Sequence, residues 1–598
     1  INAGVDRYKK LSSGHLEPLG TSASGDLIQL KAQTVQSELR IALSARTALF
    51  SGGRTLKAES KVAAEKAFVG RVFKVRAVQG RPLAAEKIVS LHSSRDKAIS
   101  ECLLASEKDV RRAGSFDDLL RTHRQAWKCL WDRFRIELEW AGGGNPGRQQ
   151  LILDLYTFHL LQTASFHTMD MDVGVPSRGW HGEAYRGHIF WDELFIFPVL
   201  NLRAPQITRA LLIYRHRRLR EAREAARREG YEGAMYPWQS GSDGREESQT
   251  VHLNPRSGRW IPDNSHLQRH VNSAIAYNIW HYYQVTDDLE FLSFYGAEML
   301  LEIARFWAGI SVRNEAADRY EILGVMGPDE YHDTMPGSDR PGLDNNAYTN
   351  VMAVWVLFRA LELLDILGEE RKIEICETIG LGPEDVERWK DITRKMKVVF
   401  HGDGIISQFE GYDRLEEFDW DGAREKHGDI QRLDRILEAE GDSPNRYKAS
   451  KQADVLMLFY LFSAEELEDL FERLGYPFEE DTIPKNIEYY LRRTSHGSTL
   501  SRVAHSWVLA RSDRPRSWDL FNEALKSDVA DIQGGTTPEG IHLGAMAGTV
   551  DLVQRCYTEI RLRDGVLWLN PQLPDPLEAI KMTLRYRGQT LRLRVGKD

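Results

Sequence analysis

The stretch Gly327-Pro328-Asp329-Glu330-Tyr331-His332 places a carboxylic acid, Glu330, in a tight Gly-Pro turn between two apolar segments. Such a turn ends a secondary element and can hold a side chain over a cleft. An acid that protonates a departing sugar oxygen needs placement of that rigidity. Alone, the string reads first as a surface turn with two carboxylates. Four other unusual strings accompany it: Phe190-Trp191-Asp192-Glu193, Lys451-Gln452-Ala453-Asp454, His496-Gly497-Ser498-Thr499-Leu500-Ser501 and Gly534-Gly535-Thr536-Thr537-Pro538-Glu539-Gly540-Ile541-His542.

The loop Thr494–Ser501 gathers donors from His496, Ser498, Thr499 and Ser501, and Gly497 lets backbone approach a ligand closely. A helix starting near Thr499 would turn its N-terminal amides to this loop and make an anion site. A Ser-Thr cluster that merely caps a helix is an equal alternative. Gly534-Gly535-Thr536-Thr537 offers further backbone donors, and Glu539 follows it. Read singly, Trp191 is a core residue and Lys451 a solvated charge.

Taken in chain order, the five strings resemble glycoside hydrolase family 65, from about Gly174 to Pro574. That family holds inverting phosphorylases of trehalose, maltose, kojibiose and nigerose, with a minority of hydrolases. The resemblance implies a mainly α chain: an (α/α)6 barrel with its active site at one mouth, flanked by a partial N-terminal β-sandwich and a short C-terminal β segment. It implies that Glu330 is the general acid. Trp191 and Asp192, with Lys451 and Gln452, would hold the transferred glucose. His496, Gly497, Ser498, Gly535 and Thr536 would lie at the phosphate. Many family phosphorylases carry an acidic residue where this chain has Gly497, which alters local charge and loop flexibility. Glu539 would activate water in a hydrolase; in a phosphorylase it would order its loop or touch the sugar.

The leading expectation is inverting phosphorolysis of an α-linked glucose disaccharide to β-glucose 1-phosphate and a sugar. The alternative is an inverting α-glucosidase on the same scaffold, and a third reading is an inactive carbohydrate-binding or scaffold protein. The first needs no cofactor, only inorganic phosphate as co-substrate. No metal constellation, Walker loop or dinucleotide fingerprint stands out. Family resemblance also implies a homodimer.

Composition agrees with a large globular enzyme. The 598 residues are 42% hydrophobic and 28% charged, enough for several domains and an extensive core. A net charge of −9 argues against a nucleic-acid surface. The Arg-rich run Arg215–Arg228 is expected to be the solvated face of a helix. No apolar run is long enough for a bilayer. Four scattered cysteines, Cys102, Cys129, Cys376 and Cys556, share no ligand spacing and point to reduced thiols in a cytoplasmic protein. The chain starts at Ile1 and is expected to begin inside a domain, as a fragment or shortened form.

These motifs need elements to position them. From Glu38 to Ser93 the pattern alternates as strands do, in Glu38–Leu43 and Arg71–Arg76. Between Ser115 and Trp140 it becomes helical, with Ser115 as the N-cap. Helices are expected over 150–165, 192–203, 205–228, 267–284, 288–310, 347–366, 384–400, 449–462, 499–511, 514–527 and 542–548. Met582–Tyr586 and Leu591–Val595 should pair as strands. The expected division is 1–110 for the partial sandwich, 111–146 for linker helices, 147–560 for the barrel and 561–598 for the C-terminal segment.

Overall fold

The computed structural model describes residues 14–143, 147–563 and 565–597. It divides into two compact units, Ile1–Arg133 with His167–Met171, and Phe134–Phe166 with Asp172–Asp598.

In the first unit, antiparallel strands Leu16–Ser24, Leu27–Thr34, Arg40–Ser51 and Leu83–Ser93 lie side by side in that order. Glu59–Glu65 and Phe68–Lys74 form a separate hairpin. The sheet begins well before Glu38, the start expected from the sequence. Leu16–Ser24 contains Pro18 and Gly20 and has no buried face, so its strand character comes from pairing with its neighbour and not from its own pattern. Helix Cys102–Arg112 packs on the sheet through Val110, against Leu27 and Ile88. Ser115 does cap the next helix: its Oγ accepts from Asp118 N–H, and Asp118 Oδ2 accepts from Ser115 N–H.

The second unit is built on six helices, α1 (Glu193–Asn201), α2 (Val271–Thr286), α3 (Ala347–Ile366), α4 (Asp454–Leu461), α5 (Thr499–Leu509) and α6 (Leu543–Asp551). All nine residues of α1 and all nine of α6 are buried. Helices apolar on every side belong inside a helical layer. Each packs on the next, and α6 packs back on α1, so the six close into a ring. Between them the chain returns through an outer layer that includes Pro205–His216, Ala297–Ile310, Pro383–Lys395, Ala464–Leu474 and Arg514–Lys526, while Gly147–Thr163 leads into α1. The inner helices therefore run the same way, and the N-terminal residues of neighbouring helices touch: Asn346 bonds Asp454, and a Cβ on Gly544 would meet Asp192.

Several expected elements differ from those observed. The helix expected over 205–228 breaks at Arg217–Arg218. Its arginines are not a uniformly solvated face either. Arg215 is 1% exposed and holds Glu193 at 2.8 Å, Arg218 bonds Asp172 and the Ser242 carbonyl, and Arg223 bridges Glu298 and Glu302. A buried guanidinium is tolerated here because each meets a carboxylate. The helix expected to reach Trp140 ends at Phe134; Glu137–Trp140 is a strand paired with Leu577–Tyr586, which pairs on its other side with Gln589–Gly596. Helices Cys102–Arg112, Glu369–Ile379, Trp420–His427, Leu433–Ala439, Ala464–Leu474 and Thr482–Leu491 were not anticipated.

Candidate active site

Because the inner helices are parallel, their N-termini and the loops before them form one mouth. Six macrodipoles then place partial positive charge at the same opening. The five sequence motifs are five of these loops.

The turn carrying Glu330 is fixed from beneath. Asp329, 2% exposed, accepts from Lys451 N–H at 2.9 Å, from Gln408 Nε2 at 2.9 Å and from His332 Nδ1. Its own N–H donates to Asp454 Oδ1 at 2.5 Å, and Asn346 Nδ2 donates to Asp454 Oδ2 at 2.7 Å. Burial, with the Asp329 charge added, pushes the Asp454 carboxyl well above the usual carboxylate range. A Cβ at Gly327 would stand 2.0 Å from Asp454 Oδ2, so only glycine fits there.

His332 Nε2 donates to the Tyr447 carbonyl at 2.8 Å while Nδ1 faces Asp329. Both ring nitrogens thus face acceptors, which makes the ring an imidazolium. Burial alone would lower its pKa; the Asp329 charge and hydrogen bond outweigh burial and raise it above 6.5. On this base Glu330 adopts φ +62°, a left-handed conformation that costs a non-glycine residue roughly 1–2 kcal/mol. Its side chain is 31% exposed, and Oε2 accepts from Lys451 Nζ.

Lys451 and Gln452 therefore brace the acid turn. Gln452 Nε2 donates to the Pro328 carbonyl at 3.1 Å, leaving its buried Oε1 without a partner among the described residues. Trp191 is 3% exposed and packs edge-on to His270 and Phe195 at 5.0 and 5.6 Å between ring centres, as part of the wall. Asp192, at the start of α1, makes no capping bond. Burial pushes its carboxyl up to about 7, with Arg178 opposing and Glu330 adding to the shift. Arg178, which sequence reasoning missed, donates to the Thr536 carbonyl at 2.8 Å and keeps a buried Nε without a partner among the described residues. Nothing in Ser177-Arg178-Gly179 distinguishes it from a surface arginine.

Ser498 is the N-cap of α5, its Oγ accepting from Leu500 N–H at 3.2 Å. His496 has φ +56°, and its Nδ1 meets Ser501 Oγ at 2.9 Å. Burial, with the nearby His505 and arginine charges, lowers its pKa well below 6.5, so the ring is neutral. Ser501 is fully buried and faces inward rather than offering a donor at the mouth. A Cβ at Gly497 would lie 2.4 Å from the Gln431 carbonyl and 2.7 Å from the Tyr331 hydroxyl. The missing acidic side chain at 497 has no room in this chain.

The last loop is pinned by Asp528, which accepts from His542 Nδ1 at 2.8 Å and Thr537 Oγ1 at 3.0 Å. Gly535 has φ +96°, and Thr536 Oγ1 is buried with no partner among the described residues. The Glu539 carboxylate makes no hydrogen bond or ion pair with the described residues and is partly exposed.

Bonds run from loop to loop around the mouth. Arg178 holds Thr536, Gln533 Nε2 donates to Gly497 O at 3.1 Å, the Tyr331 hydroxyl meets Ser495 Oγ at 2.9 Å, and Lys451 holds Glu330. A second unanticipated residue, Arg432, stands beside this chain of contacts and is paired to Asp434. Among the described residues no cluster of His, Cys, Asp and Glu suits a metal, and no helix is long and apolar enough to cross a membrane.

The fold is a ring of helical hairpins, an (α/α)6 barrel with its polar loops at one mouth. The chain belongs to glycoside hydrolase family 65: residues 1–130, 154–551 and 560–598 match that family's N-terminal, central catalytic and C-terminal domains. It is 51% identical over 595 residues to an uncharacterized glycosyl hydrolase of Mycobacterium tuberculosis, covering 100% of this chain and 44% of that protein. It thus spans less than half of that relative's length. It is 35% identical to the trehalose 6-phosphate phosphorylase of Lactococcus lactis, over 98% of this chain and 73% of that one. To the kojibiose phosphorylase of Halothermothrix orenii it is 32% identical, over 86% and 64%. A solved structure named "Putative kojibiose phosphorylase from human microbiome" superposes with a TM-score of 0.78 at 21% identity, over 98% of this chain and 72% of that one, a likeness of fold.

Proposed function

We propose that this protein is an inverting α-glucoside phosphorylase. The observation that carries the reading is the bond between Tyr331 and Ser495, which joins the Glu330 turn to the loop capping α5. An acid and an anion-suited helix start then share one opening. The relatives named as phosphorylases of trehalose 6-phosphate and kojibiose support the same chemistry.

In this mechanism the glucosyl C1–O bond breaks as Glu330 gives its proton to the departing oxygen. A phosphate oxygen forms the new bond to C1 from the opposite face, so an α-linkage yields β-glucose 1-phosphate. Lys451, already on Glu330, stabilises the carboxylate left after proton transfer. Asp192 accepts from glucose hydroxyls, and Trp191 and Gln452 keep the pocket wall and the acid turn in place. Ser498, His496 and the backbone at Gly497, Gly535 and Thr536 receive phosphate, helped by the N-terminus of α5. Glu539, whose carboxylate is unbonded among the described residues, touches the reacting sugar, while Asp528 orders the loop through Thr537 and His542. The chemistry uses phosphate and no other added group.

The test is anomer-resolved NMR of products from trehalose, trehalose 6-phosphate, kojibiose and maltose, with and without phosphate. Phosphate-dependent β-glucose 1-phosphate is the expected product. Equal turnover without phosphate, giving free β-glucose, would replace this reading by hydrolysis with Glu539 as base.

A further inference from the structure

Arg432 lies in none of the five motifs, yet the backbone on both sides of it is fastened to the residue after Glu330. The Tyr331 hydroxyl donates to the Gln431 carbonyl at 2.7 Å and accepts from Leu433 N–H at 3.2 Å. Arg432 is thereby held beside the acid turn, and its charge acts directly on Lys451. Asp434 grips the guanidinium through two bonds, Nε to Oδ1 at 3.0 Å and Nη2 to Oδ2 at 2.6 Å. Despite burial, the Arg432 charge keeps the Asp434 carboxyl down at about 2.

This grip fixes the plane of the guanidinium and leaves Nη1 without an acceptor among the described residues. The side chain is 35% exposed, so that edge reaches solvent. Around it Lys451, Arg432 and Arg435 face Glu330 and Asp434, one positive charge in excess. A fixed, charged, half-open guanidinium edge suits a planar pair of phosphoryl oxygens better than it suits a sugar hydroxyl.

We propose that Arg432, oriented by Asp434, binds a phosphoryl group of a reactant at the mouth of the barrel. The group is either the co-substrate phosphate or a phosphate ester on the acceptor sugar, and this assignment rests on the phosphorylase reading above.

The experiment compares wild type with Arg432→Gln, Arg432→Lys and Asp434→Asn. Steady-state rates are measured against inorganic phosphate, and separately against trehalose and trehalose 6-phosphate; calorimetry follows binding of inorganic phosphate and glucose 6-phosphate. Loss of a charge-assisted bond should raise one KM about tenfold or more in Arg432→Gln, mainly in KM. A shift for phosphate assigns the co-substrate; a shift for trehalose 6-phosphate alone assigns the ester. Arg432→Lys keeps the charge and loses the fork, so it should recover only part of the affinity, and Asp434→Asn should mimic a milder Arg432→Gln. Folded variants with unchanged KM and unchanged binding of both phosphates would overturn the proposal. If wild type phosphorolyses none of the disaccharides, the phosphorylase reading fails, while the calorimetry still decides whether Arg432 binds a phosphoryl group.

Discussion

Replacing His332 by Leu should damage catalysis out of proportion to its distance from any sugar. The imidazolium spans Asp329 and the Tyr447 carbonyl, and leucine removes both bonds. Breaking a buried ion pair from one side costs about 3–5 kcal/mol. Asp329 keeps its bonds from Lys451 N–H and Gln408 Nε2, so the lower end, about 3 kcal/mol, is expected. The loss lands on the turn that holds Glu330 in a left-handed conformation, and misplacing a catalytic group by an ångström costs on the order of 10²-fold in rate. The disaccharide KM should change little. Two assays check this: melting temperature with kcat and KM, and a double-mutant cycle with Asp329→Asn. Neutralising Asp329 removes the stranded charge, so the double variant should be more stable than His332→Leu alone. A raised histidine pKa also means that its stabilisation is full below pH 6.5 and is lost as pH rises through the folded value. Wild type should therefore show an alkaline loss of stability that His332→Leu lacks. Strict additivity in the cycle, or an unchanged alkaline limb, would refute the buried imidazolium.

Glu330→Gln should retain the fold by circular dichroism and lose about 10²–10⁴-fold in kcat on unactivated disaccharides, with activated leaving groups hurt less. Gly497→Asp should lower the melting temperature, because its Cβ would press on the fixed Gln431 carbonyl; overpacking of this kind costs about 1–3 kcal/mol. Folding raises the Asp192 pKa to about 7, so wild type should lose stability as pH climbs from 4 through 7, and Asp192→Asn should flatten that slope in a denaturant series.

The inner ring was legible because its helices are long apolar stretches or follow distinctive loops, as α3 and α5 do. Positions carried by pairing or by local breaks were not. Leu16–Ser24 has no pattern of its own, and Glu137–Trp140 continues a helical periodicity but is captured by a strand far along the chain. Arg215 looked solvated because charge in a sequence says nothing of a carboxylate waiting across the interior. The site motifs sit together at one mouth, whereas Arg178 and Arg432 escaped notice. Arg178 matters through its bond to Thr536, and Arg432 through the bonds its backbone neighbours Gln431 and Leu433 make with Tyr331, which no spacing records.

Closure of the ring by α6 on α1 has a consequence for how the molecule comes into being. Asp192 and Gly544 meet across some three and a half hundred residues, and each intervening hairpin contributes a wall of the same cup. No part of the barrel owns the pocket, so early hairpins emerging during synthesis have no half-formed site to stabilise them. Long-range closure is slow. Ligand affinity should then appear abruptly, after most helical structure has formed, and a stopped-flow refolding record should show helix first and substrate-protected fluorescence last.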